Sequence, residues 1–176
     1  MGFPDYFCAF FKGRLFMELR DRIIDKAGNL FIQYGIKNSS MDEIATSLGI
    51  SKRTIYEIFR DKEDLLISFL RKTWNERNAH FATFLRGDYN VIEVFLKVIE
   101  AQQNLPLANV KFFEDIQKYY PQAAKLIKED VAQNNVFLCD FLHKGIAQGY
   151  IRSNLNVEVT AFLVEDGTNT YIRASY

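Results

Sequence analysis

The stretch SSMDEIATSLGISKRTIYEIFRDKEDLL, from Ser39 to Leu66, decides how this chain folds. Ser40 stands directly before an apolar-periodic segment, and Glu43 follows three residues later. This is the spacing of a capping box, in which the hydroxyl and the carboxylate each accept a hydrogen bond from a free backbone amide at a helix start. Gly49 ends the helix, because glycine adopts positive φ without steric cost. The pattern therefore predicts a short helix between Ser40 and Gly49.

A second short helix is predicted after the Gly49 turn. Ser51 is a good N-cap, and Ile55, six residues after Gly49, faces back onto Ile44 of the first helix. Ala45 is small enough to let the two helices cross closely. Two short helices joined by a glycine turn form a helix-turn-helix, whose second helix enters the major groove of DNA.

The remaining side chains of the second helix point away from its apolar face. Lys and Arg side chains read guanine edges, and Thr and Tyr hydroxyls bond phosphates. A lysine in the first turn of the next helix adds a phosphate contact. The predicted DNA-binding residues are Ser40, Ser51, Lys52, Arg53, Thr54, Tyr56 and Lys62. The alternative is a solvated, charged helix in an ordinary helical bundle.

The segment from Gly35 to Leu66 resembles the DNA-binding segment of the TetR family of bacterial transcriptional repressors. The sequence departs from the family pattern at Glu57 and Ile58, where members often carry a histidine or aromatic pair that touches the DNA backbone. A glutamate there repels phosphate unless a cation pairs with it. The matching positions are Gly35-Ile36, Ser39-Ser40, Ile44-Ala45, Gly49-Ile50-Ser51, Ile55-Tyr56, Phe59 and Lys62-Glu63-Asp64-Leu65.

The resemblance, which covers about residues 17–176, implies an all-α, cytoplasmic homodimer that binds a palindromic operator in double-stranded DNA and represses nearby genes. A three-helix DNA-binding head over residues 17–63 would precede a helical ligand-binding and dimerisation body over residues 64–176. A small effector in the body would shift the long helix that starts at Lys62, so that the two heads no longer dock together. A protein of the same fold that is controlled by a protein partner, or that has no small-molecule inducer, is the alternative.

Both chain ends are unusual against this pattern. Residues 1–16 are rich in aromatic side chains and lack a clean helical period. We interpret them either as extraneous residues upstream of the natural start or as a genuine, flexible N-terminal arm. Residues 157–176 begin a helix, but family bodies carry one more long helix, so we expect the chain to be truncated at its C-terminus.

Apolar residues at three- and four-residue spacing predict further helices over residues 18–34, 62–86, 88–103, 107–119 and 121–148. Asp61 is the expected N-cap of the helix over 62–86. Asn154 and Asn156 stand before the helix that begins at Val157, and asparagine is a good helix cap. The buried face of the helix over 88–103 is expected to carry Val91, Val94, Phe95, Val98 and Ile99.

Aromatic side chains in the body suggest a site for an apolar or aromatic effector. The chain has 16 phenylalanines and one tryptophan, and apolar pockets are lined mainly by such residues. The alternative is that most of them are simply core. The predicted pocket residues are Trp74, Phe81, Phe84, Phe112, Phe113, Tyr119, Phe137 and Phe141.

Composition and motifs narrow the class of protein further. The formal net charge is zero, although residues 1–86 hold 14 Lys and Arg against 11 Asp and Glu. Two cysteines and two histidines form no metal-binding or disulfide pattern, and no catalytic motif is present. We therefore expect no enzyme, no metal and no cofactor. No signal peptide and no apolar run long enough to span a membrane is found in the sequence.

Overall fold

The computed structural model describes residues 3–103 and 110–164, and these residues form helices and connecting turns without a β-strand. The prediction of an all-α fold is therefore confirmed. None of the described helices is both long enough and apolar enough to cross a lipid bilayer. The helices are α1 (Phe3–Tyr34), α2 (Met41–Leu48), α3 (Lys52–Ile58), α4 (Lys62–Arg86), α5 (Val91–Gln103), α6 (Val110–Tyr119) and α7 (Pro121–Ala147), and α8 begins at Val157 and is described over 157–164.

Helix α1 is longer than the sequence pattern predicts. It begins at Phe3 and not at Glu18. Leu15 and Met17 are 69% and 55% exposed, so the amphipathic period stops although the helix continues. Helical hydrogen bonds need no such period, and Pro4 lies in the first turn, where its missing N–H costs nothing. Periodicity therefore marks the part of α1 that packs, and not its full length.

Helix α5 differs from its prediction in its start and in its buried face. It begins at Val91 because the Asn90 side chain caps it, with Oδ1 accepting from the amides of Ile92 at 2.9 Å and Glu93 at 3.0 Å. Val91 and Val94 are buried as expected. Among the expected buried residues, however, Phe95 and Ile99 are 51% and 38% exposed, because no described residue covers that side of α5.

The remaining helix ends agree closely with the sequence. Helix α7 ends at Ala147, one residue before the predicted end, and Gly149 follows with φ +77°. Asn156 caps α8, since its Oδ1 accepts a 2.9 Å hydrogen bond from the Val159 amide. The predicted start of α6 at residue 107 lies outside the described residues.

The chain divides into two compact units. The first comprises the described residues up to Arg71 together with Lys111–Ala123, and the second comprises Lys72–Val110 and the described residues from Ala124 onward. Helices α4 and α7 each contribute residues to both units. The helix-turn-helix segment and α6 thus belong to one unit, and α5, α8 and most of α7 belong to the other.

The core of the first unit is built from the apolar faces of α1 to α4 and α6. Helix α1 approaches α4 closely at Gly28, where an added Cβ would lie 2.1 Å from a ring carbon of Phe69. The absence of a side chain at Gly28 therefore makes room for that ring. The fully buried residues include Ile23, Ile24, Ala27, Phe31, Ile36, Ile44, Ile55, Phe59, Leu65, Leu66 and Ile116.

The second unit has a smaller core at the end of α7. Leu142, Val157 and Ala161 form its buried cluster, with Phe141 and Ile151 among the partly buried residues around it. This core brings α7 and α8 together. It lies beside the turn after α7, where Gly149 has φ +77°.

Candidate nucleic-acid interface

The start of α2 is fixed by the predicted capping box. Ser40 has extended backbone angles, and its Oγ accepts a 3.1 Å hydrogen bond from the Glu43 amide. The Glu43 carboxylate accepts in return from the Ser40 amide at 3.4 Å. Two of the free amides at the helix start are thereby satisfied. The capping box predicted from the Ser40–Glu43 spacing is confirmed.

The turn between α2 and α3 depends on Gly49. This residue lies in the left-handed region, with φ 68° and ψ 29°. Its N–H donates to the Thr46 carbonyl at 3.1 Å, and the Ile50 N–H donates to the Ala45 carbonyl at 3.1 Å. These bonds close the C-terminal end of α2 and direct the chain into α3. The predicted glycine turn is confirmed.

Helix α3 starts at a second serine cap and is anchored by a single apolar residue. Ser51 Oγ accepts from the Thr54 amide at 3.0 Å, and the Ser51 and Thr54 hydroxyls lie 2.8 Å apart. Ile55 is fully buried, whereas Tyr56 is 46% exposed. Burial of Ile55 therefore turns the polar side of α3 outward, as its sequence predicts.

Two of the predicted DNA-binding cations are paired with carboxylates. Lys52 Nζ lies 2.6 Å from Asp42 Oδ2 of α2, and Arg53 Nε lies 3.0 Å from Glu57 Oε1 on α3 itself. The hydrogen bond to Asp42 raises the pKa of Lys52, so this side chain stays protonated at neutral pH. Glu57 thus has a neighbouring cation, which is the condition under which a glutamate on this face does not repel phosphate.

Lys62 occupies a different environment from the other predicted DNA-binding residues. Its half-buried ammonium group donates to the Ile36 carbonyl and lies 5.8 Å from the centroid of the Phe31 ring. Burial lowers the pKa of Lys62. The structure therefore gives Lys62 a contact that ties the start of α4 to the turn after α1, and its predicted phosphate contact stays a prediction.

The turn after α1 contacts α6, and the sequence did not predict this contact. The Lys37 amide donates a 2.6 Å hydrogen bond to Asp115 Oδ2, and Lys37 Nζ lies 3.4 Å from the Tyr119 hydroxyl. Gly35, at the end of α1, has φ +86°, and an added Cβ would lie 3.1 Å from Lys111 Cβ. Helix α6 therefore supports the turn that leads into α2.

The eight predicted pocket residues are divided between the two units. In the second unit, Phe81 stacks on Phe137 with ring centroids 4.8 Å apart, and Trp74, Phe84 and Phe141 are partly buried. In the first unit, Phe112 is buried in an edge contact with Phe113, while Phe113 and Tyr119 are 40% and 43% exposed. The Tyr119 hydroxyl also accepts the hydrogen bond from Lys37 Nζ described above.

A buried ion pair in the second unit was also missed from the sequence. Asp130 is 8% exposed, and its two carboxylate oxygens accept from Arg77 Nη2 at 2.7 and 2.9 Å. Asn134 Nδ2 adds a 3.4 Å contact to the same carboxylate. These residues join α4 to α7, as does the Phe81–Phe137 stack. Buried charge is thus present where the sequence suggested mostly apolar side chains.

Comparison with known proteins finds matches among bacterial transcriptional regulators. Residues 23–69 match the family described as "Bacterial regulatory proteins, tetR family". The chain is 23% identical over 159 residues to the HTH-type transcriptional repressor KstR2 of Mycobacterium tuberculosis, covering 88% of this chain and 80% of that protein. It is 28% identical over 166 residues to an HTH-type transcriptional regulator of Staphylococcus aureus, covering 84% and 83% of the two chains.

A solved structure shares the fold. The transcriptional regulator FadR of Bacillus subtilis, crystallised in complex with stearoyl-CoA, superposes with a TM-score of 0.65 at 23% identity, covering 88% of this chain and 87% of that chain. At this identity the similarity shows the fold alone.

Proposed function

We propose that this chain, which belongs to the TetR family of bacterial regulatory proteins, represses transcription by binding operator DNA in a sequence-specific manner. The observation that carries the proposal is the α2–turn–α3 geometry. Gly49 directs the chain into α3, Ser51 caps that helix, and Ile55 holds it with its polar side outward. An exposed, capped helix with Arg and Lys in its first turn suits the major groove.

The proposed binding residues contribute in different ways. Arg53, with its side chain 88% exposed, is suited to guanine O6 and N7. Tyr56 and the paired hydroxyls of Ser51 and Thr54 are suited to phosphate oxygens, as are Lys52 and the exposed N-terminus of α2 at Ser40. These contacts would fix the register of α3 while Arg53 reads sequence.

We infer that two copies of the chain bind one palindromic operator. A single α3 of seven residues reaches few base pairs, so affinity and selectivity require a second half-site. In a two-fold dimer the half-sites would lie about 34–36 Å apart, one turn of the double helix. Any change in the separation of the two heads would then weaken binding, because both could not dock at once.

An apolar effector that acts through α4 is the proposed means of release. Helix α4 contributes residues to both units, so a ligand that alters its conformation in the second unit would change the position of the heads. Such a ligand must bind the two conformations with different affinity. The aromatic residues around the Phe81–Phe137 stack are the proposed lining. The stearoyl-CoA bound by Bacillus subtilis FadR makes long-chain acyl compounds the first class to screen.

Fluorescence anisotropy tests the DNA-binding part of this proposal. The chain is titrated against duplex DNA from upstream of its own gene and against a scrambled duplex, each at two salt concentrations. Specific repressors bind their operator about 10³- to 10⁷-fold more tightly than other DNA, and affinity falls with salt as counterions are released. Equal, weak binding to both duplexes would contradict the proposal.

A further inference from the structure

Arg53 and Glu57 form an ion pair that the stability of the fold does not explain. The two side chains lie one turn apart on α3, are 88% and 60% exposed, and join Nε to Oε1 at 3.0 Å. Exposed pairs of this kind contribute little to folding, because solvent screens them and both side chains lose rotamer freedom. Both residues lie on the side of α3 opposite the buried Ile55, where bases would be read.

The pair orients the Arg53 guanidinium so that its two terminal nitrogens can donate to one base. Glu57 engages Nε, and Arg53 has no other hydrogen-bond partner within the part of the chain that the structure describes. The Nη1 and Nη2 end of the fork is therefore left to donate to two acceptors at once. Guanine offers such a pair in O6 and N7. Glu57 thereby reduces the number of rotamers that Arg53 samples without occupying the groups that would read the base.

The carboxylate of Glu57 favours bases that present a hydrogen-bond donor. An ionised carboxylate is an acceptor only, and Oε2 has no partner among the described residues. The N7 and O6 atoms of guanine and the O4 atom of thymine are acceptors and would repel it. The amino donors in the major groove are cytosine N4 and adenine N6, and cytosine N4 is the one with which a glutamate characteristically pairs. A base that presents an amino group beside the guanine therefore complements the pair.

We propose that Glu57 is a specificity-determining residue, which holds Arg53 against a guanine and accepts from the N4 amino group of a cytosine at the adjacent base pair. This inference rests on the proposed DNA-binding function and adds the base step that each half-site must contain. On DNA that lacks this step, engagement of Arg53 elsewhere would leave the Glu57 carboxylate without its cation, and phosphates would then repel that carboxylate, so Glu57 lowers affinity for such DNA. Its effect is on discrimination between sequences, and not on affinity alone.

Selection from a random duplex library compares the chain with Glu57→Gln and a matched control. The control is Glu129→Gln on α7, which removes the same charge from another exposed i,i+4 pair, Lys125–Glu129 at 3.9 Å. Bound sequences are read after several rounds, and affinities are then measured for the selected site and for a variant with the cytosine replaced. Circular dichroism melts check that all three proteins fold alike.

The inference predicts a guanine–cytosine step in each half-site selected by the unsubstituted chain and by Glu129→Gln. Glu57→Gln should keep the guanine, lose the cytosine preference by about tenfold, and bind non-operator DNA more tightly. The same motif for the chain and Glu57→Gln would overturn the inference, as would an equal loss with Glu129→Gln. If the unsubstituted chain selects no motif, the proposed function itself fails, and that outcome is visible without any variant.

Discussion

Substitution of Gly49 tests the turn on which the orientation of α3 depends. Gly49 has φ 68° and ψ 29°, and an added Cβ would meet no atom within 4 Å. A side chain at this position therefore meets no steric clash. Its whole cost is the strain of placing an L-residue in the left-handed region, or of rearranging the turn to avoid it.

The expected loss of stability follows from that strain. The left-handed region costs an L-residue about 1–2 kcal/mol, so Gly49→Ala should lower the free energy of unfolding by about 1 kcal/mol. Gly49→Asn should cost less, because asparagine tolerates this region, and Gly49→Val should cost most, because its Cβ is branched. For a chain of 176 residues, a loss of 1 kcal/mol lowers the Tm by about 2–4 °C.

Gly149 provides a matched control for this series. It also ends a helix, has φ +77°, and would bring an added Cβ within 4 Å of no other atom, but it belongs to the second unit. Gly149→Ala should therefore cost as much stability as Gly49→Ala while leaving the orientation of α3 unchanged. Urea denaturation followed by circular dichroism measures the first quantity, and DNA anisotropy at a temperature where both variants are folded measures the second.

Two outcomes would refute this reasoning. An unchanged denaturation midpoint for Gly49→Val would mean that the turn does not require positive φ. Equal losses of DNA affinity for the Gly49 and Gly149 variants would mean that affinity follows overall stability and not the orientation of α3.

Three further substitutions test individual side chains. Arg53→Ala should weaken operator binding by about 1–3 kcal/mol and relax base choice at one position, which titration against operator variants measures; uniform weakening across all variants would contradict base reading. Lys62→Met retains the side-chain stem but removes the hydrogen bond to the Ile36 carbonyl, so urea denaturation should show a loss of about 1 kcal/mol. If Lys62 also contacts phosphate, the slope of log affinity against log salt should flatten by about one, and an unchanged slope would remove it from the phosphate contacts. Asp61 caps α4, and its hydrogen bond from the Asp64 amide lowers the pKa of the Asp61 carboxyl. Its stabilisation is therefore present above about pH 4 and lost as pH falls through the folded-state pKa, whereas Asp61→Asn should lack this dependence; parallel stability curves between pH 5 and pH 2.5 would contradict the cap.

The parts of the fold that sequence predicts correctly are those with local causes. The Ser40 capping box, the Gly49 turn and the Ser51 cap each join residues no more than five positions apart. Their geometry is set by residue type and spacing, so it survives in any tertiary context. The same holds for the bounds of α4, where Asp61 provides the cap and the observed Lys62–Arg86 range equals the predicted one.

Contacts between residues that lie far apart along the chain could not be predicted from a single sequence. Lys37 and Asp115 are 78 positions apart, and Arg77 and Asp130 are 53 apart. Which polar groups meet across two packed helices depends on their relative register, and apolar periodicity fixes only which face is buried. The same limit explains the exposure of Phe95, since periodicity cannot show whether a partner covers that face.

The Arg53–Glu57 pair lies between these cases, because its i,i+4 spacing was visible in the sequence. Together with Lys52–Asp42 it balances each cation of the α3 reading face with a carboxylate. A formal net charge of zero is therefore compatible with DNA binding. What matters is whether Lys52 and Arg53 can exchange their carboxylate partners for groups of the DNA. If this face binds DNA as proposed, phosphates would have to compete with Asp42 for Lys52, so non-operator DNA would gain little affinity from this surface. Selectivity would then depend on base contacts in which Arg53 binds guanine while its ion pair with Glu57 stays intact.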